Sequence, residues 1–403
     1  MIHYTTIFKI IDIFYIRGRI KHMKTFDTII IGAGAAGLMA TAQLTHRKKS
    51  VLIIDMGNEP ARKIAISGGG NCNFTNLQAD HTHYFGKNPR FVTSALSQFS
   101  PIDTLNWAKA HNIKYIEKEP GRYFCKNGAQ DFVNALLDDI NNTQIKYNTD
   151  VIDIEKSDEI FTIKTNKGDF EALSVIMATG GLSYPRLDVS NIGHVTAKKF
   201  GHKIEPPRPA LCAIKTKSFD SALSGISLKV GITVEKHKIT DDLLFTHFGI
   251  GGPAVYRATL INPKQMIINF APDKDIFELL KSKKQSNGKK SVAGVLSEIL
   301  PNKLAHFLCD SPQNIADLRD TELKQIANKI NHFEINDGAV IGFQAAEVTA
   351  GGISTDKISS KTMESKLCPK LYFVGETLDI TGDLGGFNIQ WAISSGFVAG
   401  SNA

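Results

Sequence analysis

The chain has 403 residues, 42% hydrophobic and 22% charged, which suits two or three domains with substantial apolar cores. The net charge is +7, but the first 22 residues contribute +3 and the five lysines between Lys281 and Lys290 contribute +5. The rest is close to neutral, which excludes a broad cationic face, so no nucleic-acid partner is expected. Five scattered cysteines without a C-x-x-C motif exclude a cysteine-based metal site and a redox dithiol, and they indicate a reduced, cytoplasmic chain.

Residues 1–22 precede the first predicted domain. Their apolar stretch, 7–16, is interrupted by Lys9 and Asp12, is too short to span a bilayer, and is followed by no small-residue cleavage site. Met23 stands directly before the first predicted strand. We therefore expect residues 1–22 to be a mis-assigned start or a loosely attached extension, with no membrane span.

The first predicted element is a strand, a glycine-rich turn and a helix. Residues 27–31 form an isoleucine-rich run typical of a strand buried on both faces, and a helix is predicted over 35–46. Gly32 permits the tight turn, Gly34 permits close approach of a pyrophosphate, and Gly37 permits close packing of the helix. The N-terminal N–H groups of that helix are expected to face the phosphates.

A second buried strand, 51–54, ends in Asp55, eighteen residues after Gly37. An acid at this distance accepts hydrogen bonds from ribose hydroxyls and disfavours a 2′-phosphate. The unit therefore predicts FAD or NAD rather than NADP, with an ordinary βα turn as the alternative.

A second glycine-rich segment covers residues 62–73. Its three consecutive glycines expose backbone N–H groups, which suit contacts with phosphate, the ribityl chain or the flavin edge. The same composition also suits a flexible surface loop, and composition alone leaves both interpretations open.

The middle of the first domain combines helices with a β-meander. Helices are predicted at 90–98, 102–111 and 129–141, and alternating runs at 149–154, 160–164 and 169–173 predict the meander. Residues 174–178 then predict a return to the main sheet. The small-residue turn Ala178, Thr179 and Gly180 allows backbone to pack against a nucleotide, with a plain strand-end turn as the alternative.

The pattern changes after residue 204, where prolines are followed by short strands and then helices. Small residues return from 343, with a strand that leads into Gly375 and a last helix from about Phe387 to Gly400. The predicted fold is a Rossmann-type α/β domain, 23–204 and 343–403, with an inserted β-plus-helical domain, 205–342.

From Lys24 onward the chain resembles the BaiN-like, aminoacetone-oxidase-type FAD-dependent oxidoreductases of bacteria. The resemblance rests on motifs at 62–63, 67–76, 178–185, 245–249, 347–352, 362–366, 375–379 and 385–392. It implies a glutathione-reductase-like FAD domain with an inserted β-barrel-like plus helical domain. Asn71, Gly251 and Phe387 stand where the family usually has arginine, serine and tyrosine, so the substrate preference does not follow from the resemblance.

The resemblance and the first βα unit together imply one extended FAD. The three glycines of the first turn are expected at the pyrophosphate, Asp55 at the adenosine ribose, Val151 at adenine, and Asp379 at the ribityl chain or pyrophosphate. The last helix should point its N-terminus at the flavin, where negative charge develops on reduction. The complete predicted cofactor-binding set is Gly32, Gly34, Ala35, Ala36, Gly37, Asp55, Lys63, Ser67, Gly68, Gly69, Asn71, Cys72, Asn73, Val151, Ala178, Thr179, Gly180, Gly375, Glu376, Asp379, Gly386, Phe387 and Asn388.

Few residues are predicted to take part in the chemistry directly, because a flavin itself carries hydride transfer. His247, with Thr246 beside it, is the acid–base candidate, and a structural histidine is the alternative. Cys72 is either a thiol close to the flavin or a small packing residue.

Three functions remain open, in this order. The first is an NAD(P)H-linked reductase of a small organic substrate, in which the nicotinamide docks transiently because no second G-x-G-x-x-G motif is found. The second is an oxidase of a small amine that passes electrons to oxygen. The third is an RNA-modifying flavoprotein that uses the basic segment 281–290. The oligomeric state does not follow from the sequence.

Overall fold

The computed structural model describes residues 24–140 and 143–403. The expectation that residues 1–22 are an extension lies outside the described residues. Within the described ranges, no helix is both long enough and apolar enough to cross a membrane.

The described strands, in chain order, are β1 (Thr25–Ile31), β2 (Val51–Ile54), β3 (Asn73–Asn76), β4 (Tyr84–Phe85), β5 (Tyr115–Glu119), β6 (Arg122–Cys125), β7 (Gln144–Lys146), β8 (Val151–Ser157), β9 (Ile160–Thr165), β10 (Gly168–Met177), β11 (Ile204–Ala210), β12 (Ile214–Lys215), β13 (Ser227–Val234), β14 (His237–Thr246), β15 (Gly249–Gly251), β16 (Met266–Asn269), β17 (Phe333–Ile335), β18 (Ala339–Val340), β19 (Val348–Ile353), β20 (Leu371–Phe373) and β21 (Thr381–Gly382).

The described α-helices are α1 (Ala35–His46), α2 (Arg62–Gly70), α3 (Val92–Gln98), α4 (Pro101–Ala110), α5 (Ala129–Asp139), α6 (Ile192–Lys199), α7 (Pro253–Thr259), α8 (Ile276–Ser286), α9 (Val292–Leu296), α10 (Asn302–Leu308), α11 (Asp320–Asn331) and α12 (Phe387–Asn402).

A parallel sheet forms the centre of the first domain. Strands β7, β2, β1, β10 and β20 are parallel neighbours in that order, and β9 and β8 extend β10 in antiparallel pairs. Side chains of β1 and β10 such as Ile30 and Ile176 are fully buried, as expected for strands covered on both faces. This arrangement confirms the predicted Rossmann-type fold.

The predicted boundary between the meander and the main sheet is absent, because β10 is one continuous strand. Its first half pairs with β9, and its second half, from Val175 to Met177, pairs with β20. Along its whole length from Glu171 it also pairs with β1. The chain therefore passes from meander to parallel sheet without a turn.

The two ends of the described chain pack against each other through α1 and α12. A Cβ added at Gly396 would lie 2.3 Å from the carbonyl oxygen of Ala36, and one added at Gly400 would lie 2.3 Å from that of Ala40. Only glycine therefore allows α12 to lie this close to the backbone of α1. The Trp391 indole N–H donates to the Gly375 carbonyl at 3.0 Å, which ties α12 to the end of β20.

The inserted domain has its own sheet and its own apolar core. The strand order is β17-β16-β13-β14-β15-β12-β18, and no ladder among the described residues joins the two edge strands. Because only three residues connect the two edge strands, β17 and β18, the sheet curls back on itself, and α8 to α11 pack on its core. The sheet and core of the insertion begin at Ile214, while β11 pairs with β19 outside them, so two adjacent strands connect the domains.

One buried ion pair fastens the insertion to the first domain. Arg257, on α7, donates from Nε and Nη2 to the carboxylate of Asp383 at 2.8–3.1 Å. Burial opposes ionisation of Asp383, but the neighbouring His83 and the hydrogen-bonded Arg257 outweigh it and lower the pKa of the carboxyl. Asp383 also precedes α12, so the same pair fixes the loop that leads into the last helix.

The close packing of α12 against α1 gives a first prediction. The Gly396→Ala variant gains about 1 kcal/mol of helix propensity, but its methyl group overlaps backbone rather than a movable side chain, which costs about 1–3 kcal/mol. We expect a net loss of stability, seen as a lower urea midpoint. Ser401→Ala on the same helix is the control, and a Gly396→Ala midpoint at or above that of the unsubstituted protein would contradict the packing described.

Candidate functional site

A cavity of about 790 Å³ opens beyond the carboxyl ends of β1, β2, β10 and β20. Its walls come from both ends of the chain, with the N-termini of α1 and α12 on its border and residues of the insertion at one side. Cofactor sites of open α/β sheets lie at this edge, and cavities of about 300–1,000 Å³ are usual for them.

The first glycine turn forms a cradle at the N-terminus of α1. Gly32 has φ +110°, and a Cβ there would lie 2.4 Å from the Ala178 carbonyl oxygen. At Gly37 a Cβ would lie 2.0 Å from the Gly32 carbonyl oxygen, whereas one at Gly34 would meet no heavy atom within 4 Å. Gly34 caps the helix without a side-chain hydrogen bond, which leaves the N–H groups of Ala35 and Ala36 for a ligand. This geometry fits a pyrophosphate.

Asp55 lies beside this cradle with an already ordered carboxylate. It accepts hydrogen bonds from the backbone N–H groups of Ala33 and Gly57, both at 2.7 Å, and from Arg62 at 2.9 Å. Arg62 also pairs with Asp188 at 2.7 Å. A carboxylate offers about four acceptor positions, so Asp55 retains capacity for a ribose hydroxyl.

The segment 62–73 is helical at its start rather than a loop throughout. It begins as the first turns of α2 and then leaves the helical conformation at Ser67, with left-handed φ angles of 56° and 65° at Gly68 and Gly69. A Cβ at Gly69 would meet nothing within 4 Å. The turn therefore presents bare backbone to the cavity, as the phosphate, ribityl or flavin-edge interpretation requires.

Lys63 and Glu376 join three separate parts of the cavity wall. The Lys63 ammonium donates to Glu376 at 3.2 Å and to the Ser183 hydroxyl at 2.9 Å. The Glu376 carboxylate also accepts from the N–H groups of Thr349 at 2.6 Å and Gly181 at 3.1 Å. These bonds hold the end of β20 against the turn after β10.

The N-terminus of α12 closes the other end of the cavity. Gly386 has φ +95°, and a Cβ there would lie 2.6 Å from the Thr75 carbonyl oxygen. The Asn388 side chain holds the preceding loop by accepting from the Gly382 N–H and donating to the Gly382 carbonyl, at 2.8 and 2.9 Å. No side chain caps α12, so its first N–H groups are also available to a ligand.

Most of the predicted cofactor-binding residues are brought to this cavity. The members that line it are Gly32, Gly34, Ala35, Ala36, Asp55, Lys63, Ser67, Gly68, Gly69, Asn73, Val151, Ala178, Thr179, Gly180, Gly375, Glu376, Gly386 and Asn388. Gly37 acts behind the wall, through the close approach of α1 to Gly32.

Four of the predicted cofactor residues do not line this cavity. Asn71 is outside the wall, and Phe387 turns inward to stack on His83, with ring centroids 4.6 Å apart. Cys72 is fully buried next to Cys125, whose N–H donates to the Cys72 carbonyl at 3.3 Å. Burial raises the pKa of the Cys72 thiol, so it fits the packing interpretation.

The fourth is Asp379, which lines a second cavity of about 840 Å³ instead. Its carboxylate accepts from the Lys87 N–H at 2.9 Å, and burial raises its pKa. In its place Asp383, four residues later, lines the first cavity.

The predicted catalytic pair is not brought to the cavity either. His247 is an exposed residue in the turn between β14 and β15, and Thr246 is the last residue of β14. Neither side chain lines the first cavity. The turn that carries His247 belongs to the hairpin of β14 and β15, within the sheet of the insertion, and so lies apart from the first cavity.

The sequence interpretation missed the side of the cavity that faces the insertion. Tyr184, Leu211, Pro253, Glu347 and Leu384 line it. Tyr184 and Leu211 have left-handed φ angles of 56° and 50°, which bulky residues seldom adopt and which often mark functional sites. Tyr184 and Glu347 fall within motifs that carry the family resemblance, and this was the available signal.

The comparisons with known proteins agree with this site. The family described as HI0933-like protein Rossmann domain matches residues 26–402. A ribosomal RNA dihydrouridine synthase of Haemophilus influenzae is 40% identical over 387 residues, covering 92% of this chain and 96% of that protein. One of Escherichia coli is 36% identical over 390 residues, covering 93% and 96%. A 3-dehydro-bile acid delta(4,6)-reductase of Clostridium scindens is 28% identical over 401 residues, covering 93% and 98%.

Solved structures with a similar chain path are more distant. A 3-ketosteroid-delta4-(5alpha)-dehydrogenase of Rhodococcus jostii RHA1 is 13% identical with a TM-score of 0.49, covering 96% of this chain and 97% of that one. A flavocytochrome c3 fumarate reductase is 15% identical with a TM-score of 0.47, covering 97% and 80%. The family match and the full-length relatives confirm the predicted resemblance. The chain belongs to the HI0933-like Rossmann family of FAD-binding proteins, and it is an FAD-dependent oxidoreductase.

Proposed function

We propose that the chain reduces a uridine of ribosomal RNA to dihydrouridine, with electrons from NAD(P)H that pass through bound FAD. The observation that carries the proposal is the pair of ribosomal RNA dihydrouridine synthases that match this chain over 96% of their own lengths. The proposal departs from the expectation of a small organic substrate and no nucleic acid. It also gives first place to the RNA-modifying flavoprotein, which was the third of the functions considered from sequence.

The chemistry named for the third relative supports the same reaction class. A 3-dehydro-bile acid delta(4,6)-reductase acts on carbon–carbon double bonds conjugated to a carbonyl group, and the C5–C6 bond of uracil is conjugated to its C4 carbonyl. Hydride addition to such a bond is favoured at the carbon farther from the carbonyl group, because the negative charge that the hydride brings is then delocalised onto the carbonyl oxygen. A reductase of small conjugated carbonyl compounds is therefore the second candidate function. Oxidation of an amine by oxygen stays a prediction.

We propose that FAD lies lengthwise in the first cavity, between the N-termini of α1 and α12, which both border it. In this placement the cradle of Gly32 and Gly34 holds the pyrophosphate, Asp55 holds the adenosine ribose, and Val151 lies at the adenine end. The turn at Gly68 and the N-terminus of α12 then border the flavin end. Bound FAD supplies hydride transfer, and the protein groups position it and exclude water.

In this arrangement the substrate base would bind against the wall of the first cavity that faces the insertion. Tyr184, Leu211, Pro253 and Glu347 come from four different segments and mix apolar surface with two groups able to hydrogen-bond. Such a mixture suits a flat, polar-edged ring turned out of an RNA strand. The nicotinamide of NAD(P)H would use the same space before the RNA, since the sequence holds no second dinucleotide motif.

Phosphate contacts are better provided by the second cavity than by the segment 281–290. Lys283 and Lys290 pair with Glu298, and Lys284 pairs with Asp320. The second cavity, in contrast, is bordered by Arg90 and Lys236, which form no ion pair with any residue in the described ranges. A small apolar cluster that includes Leu211 and Leu260 separates this cavity from the first, so RNA bound there would run beside the flavin end.

The direct test is to incubate the purified protein with FAD, NADPH or NADH, and protein-free 23S and 16S ribosomal RNA without oxygen. We expect dihydrouridine in the nuclease digest by mass spectrometry, and none when either FAD or the nicotinamide is omitted. A conjugated cyclic enone offered in parallel tests the second candidate. Reduction of the enone with no dihydrouridine in any RNA would refute the proposed substrate.

The Gly34→Ala variant tests the placement of the pyrophosphate. Its methyl group meets no protein atom within 4 Å and the backbone is extended, so folding should not change. The methyl would occupy the space of the phosphate, and overpacking of about 1–3 kcal/mol predicts a loss of FAD affinity of about tenfold or more. FAD fluorescence titration measures it, with Gly294→Ala in the insertion as the control. An unchanged FAD affinity would place the cofactor elsewhere.

The Arg90→Ala/Lys236→Ala double variant tests the RNA path. Each lost phosphate contact should weaken binding to all RNA sequences and reduce the slope of log affinity against log salt by about 1. Filter binding over a range of salt concentrations measures this. Lys289→Ala, which removes an exposed lysine from the segment 281–290, should leave the slope unchanged. A reduced slope in Lys289→Ala and an unchanged slope in the double variant would indicate that RNA binds the segment 281–290 instead.

A further inference from the structure

One carboxyl group in the wall of the first cavity differs from all the others. Asp55, Glu119, Asp150, Asp188, Glu376 and Asp383 each bond to a cation or an amide side chain. The carboxyl of Glu347 forms no ion pair or hydrogen bond with any residue in the described ranges, although it lines the cavity. It is therefore the wall carboxyl with full capacity to bond a ligand.

The backbone of Glu347 is held firmly, even though its side chain is free. Its N–H donates to the Leu211 carbonyl at 3.3 Å, and its carbonyl accepts from the Ser183 hydroxyl at 3.3 Å. The neighbouring Tyr184 donates its N–H to the Phe343 carbonyl at 3.1 Å. Leu211 and Tyr184 are the two bulky residues with left-handed φ on this wall. Two residues close to Glu347 therefore have strained backbone conformations, which persist only where the surrounding structure holds them in place.

The groups that face Glu347 are uncharged near neutral pH. They are the phenols of Tyr184 and Tyr256 and the thiol of Cys212, and burial raises the pKa of each, that of Cys212 to about 11. The Glu347 side chain is exposed to the open cavity, and the protein surrounding that cavity withdraws it from bulk water, which raises the pKa of its carboxyl with no cation to oppose the effect. A carboxyl in such surroundings keeps its proton at higher pH than one surrounded by bulk water.

We propose that Glu347 is the catalytic residue that donates a proton to the substrate carbon next to the carbonyl group during reduction. The inference rests on the proposed function. With bound FAD as the hydride source, the C5–C6 π bond of uracil would break as C6 gained a hydride and C5 gained the proton of Glu347. The two electrons would come from NAD(P)H by way of the cofactor, and the Glu347 carboxylate would take a proton from solvent.

Other proton donors in the cavity fit this step less well. Tyr184 also lines the wall, but its pKa lies above that of an unperturbed phenol, whereas a raised carboxyl pKa lies closer to the working pH. Cys212 is fully buried and Tyr256 does not line the cavity. His247, the acid expected from sequence, is exposed on the insertion.

The Glu347→Gln variant separates proton donation from the other steps, because the amide keeps the shape but has no acidic proton. FAD affinity, flavin bleaching by NADPH and affinity for protein-free ribosomal RNA should match those of the unsubstituted protein. Reoxidation of the reduced flavin by that RNA, followed by anaerobic stopped flow, should slow by about 100-fold or more. Glu347→Asp should fall between the two, and Glu159→Gln, at an exposed turn, should have no effect.

Two further readouts separate catalysis from a structural role. The rate of flavin reoxidation by RNA should fall as pH rises through the pKa of Glu347, and this dependence should vanish in Glu347→Gln. In infrared difference spectra between the two proteins over a pH series, the band of one protonated carboxyl group should persist to higher pH than it does for a fully solvated glutamate, whether or not RNA is present.

The possible failures are distinguishable. If the unsubstituted protein reduces no RNA, both the proposed function and this inference fall. If it does and Glu347→Gln reduces RNA equally fast, the inference alone falls. The inference alone also falls if Tyr184→Phe abolishes reduction of RNA while Glu347→Gln retains it.

Discussion

The close approach of α12 to α1 is the contact on which the rest of the structure depends. Glycines at 396 and 400 let the last helix lie directly on the backbone at Ala36 and Ala40. The two helices begin at the same cavity, so their free N–H groups and dipoles point into it from two directions. The nucleotide domain can therefore be interrupted by the insertion and still close around its cofactor.

The insertion contributes chemistry because it is fixed to the first domain at its base. Strands β11 and β19 cross between the domains side by side, and Arg257 holds Asp383 in the loop before α12. The residues beside this junction, among them Leu211 and Glu347, line the first cavity on the side proposed for the substrate. A change of substrate within this fold can arise at the junction without disturbing the dinucleotide cradle.

Most of the cofactor residues predicted from sequence line one cavity, because their placement depends on local geometry. A strand, a glycine turn and an acid at a fixed distance follow from backbone constraints within thirty residues. The catalytic half depends on contacts across the whole chain. Asp379 and Asp383 have similar local context, and Arg257, more than a hundred residues away, favours the second. His247 was a candidate because histidine is the residue type most often used in acid–base catalysis. The distinguishing feature of Glu347 is that its carboxyl has no ion-pair or hydrogen-bond partner among the described residues, and sequence periodicity cannot reveal this.

The central claim is that a single extended FAD joins the N-termini of α1 and α12. An experimental structure of the protein with FAD tests it most directly. The account predicts pyrophosphate oxygens within hydrogen-bond distance of the Ala35 and Ala36 N–H groups, and the flavin ring beside Gly386 and Asn388 with one face open toward Glu347. A flavin ring in the second cavity, or an adenine in place of the flavin at α12, would contradict it.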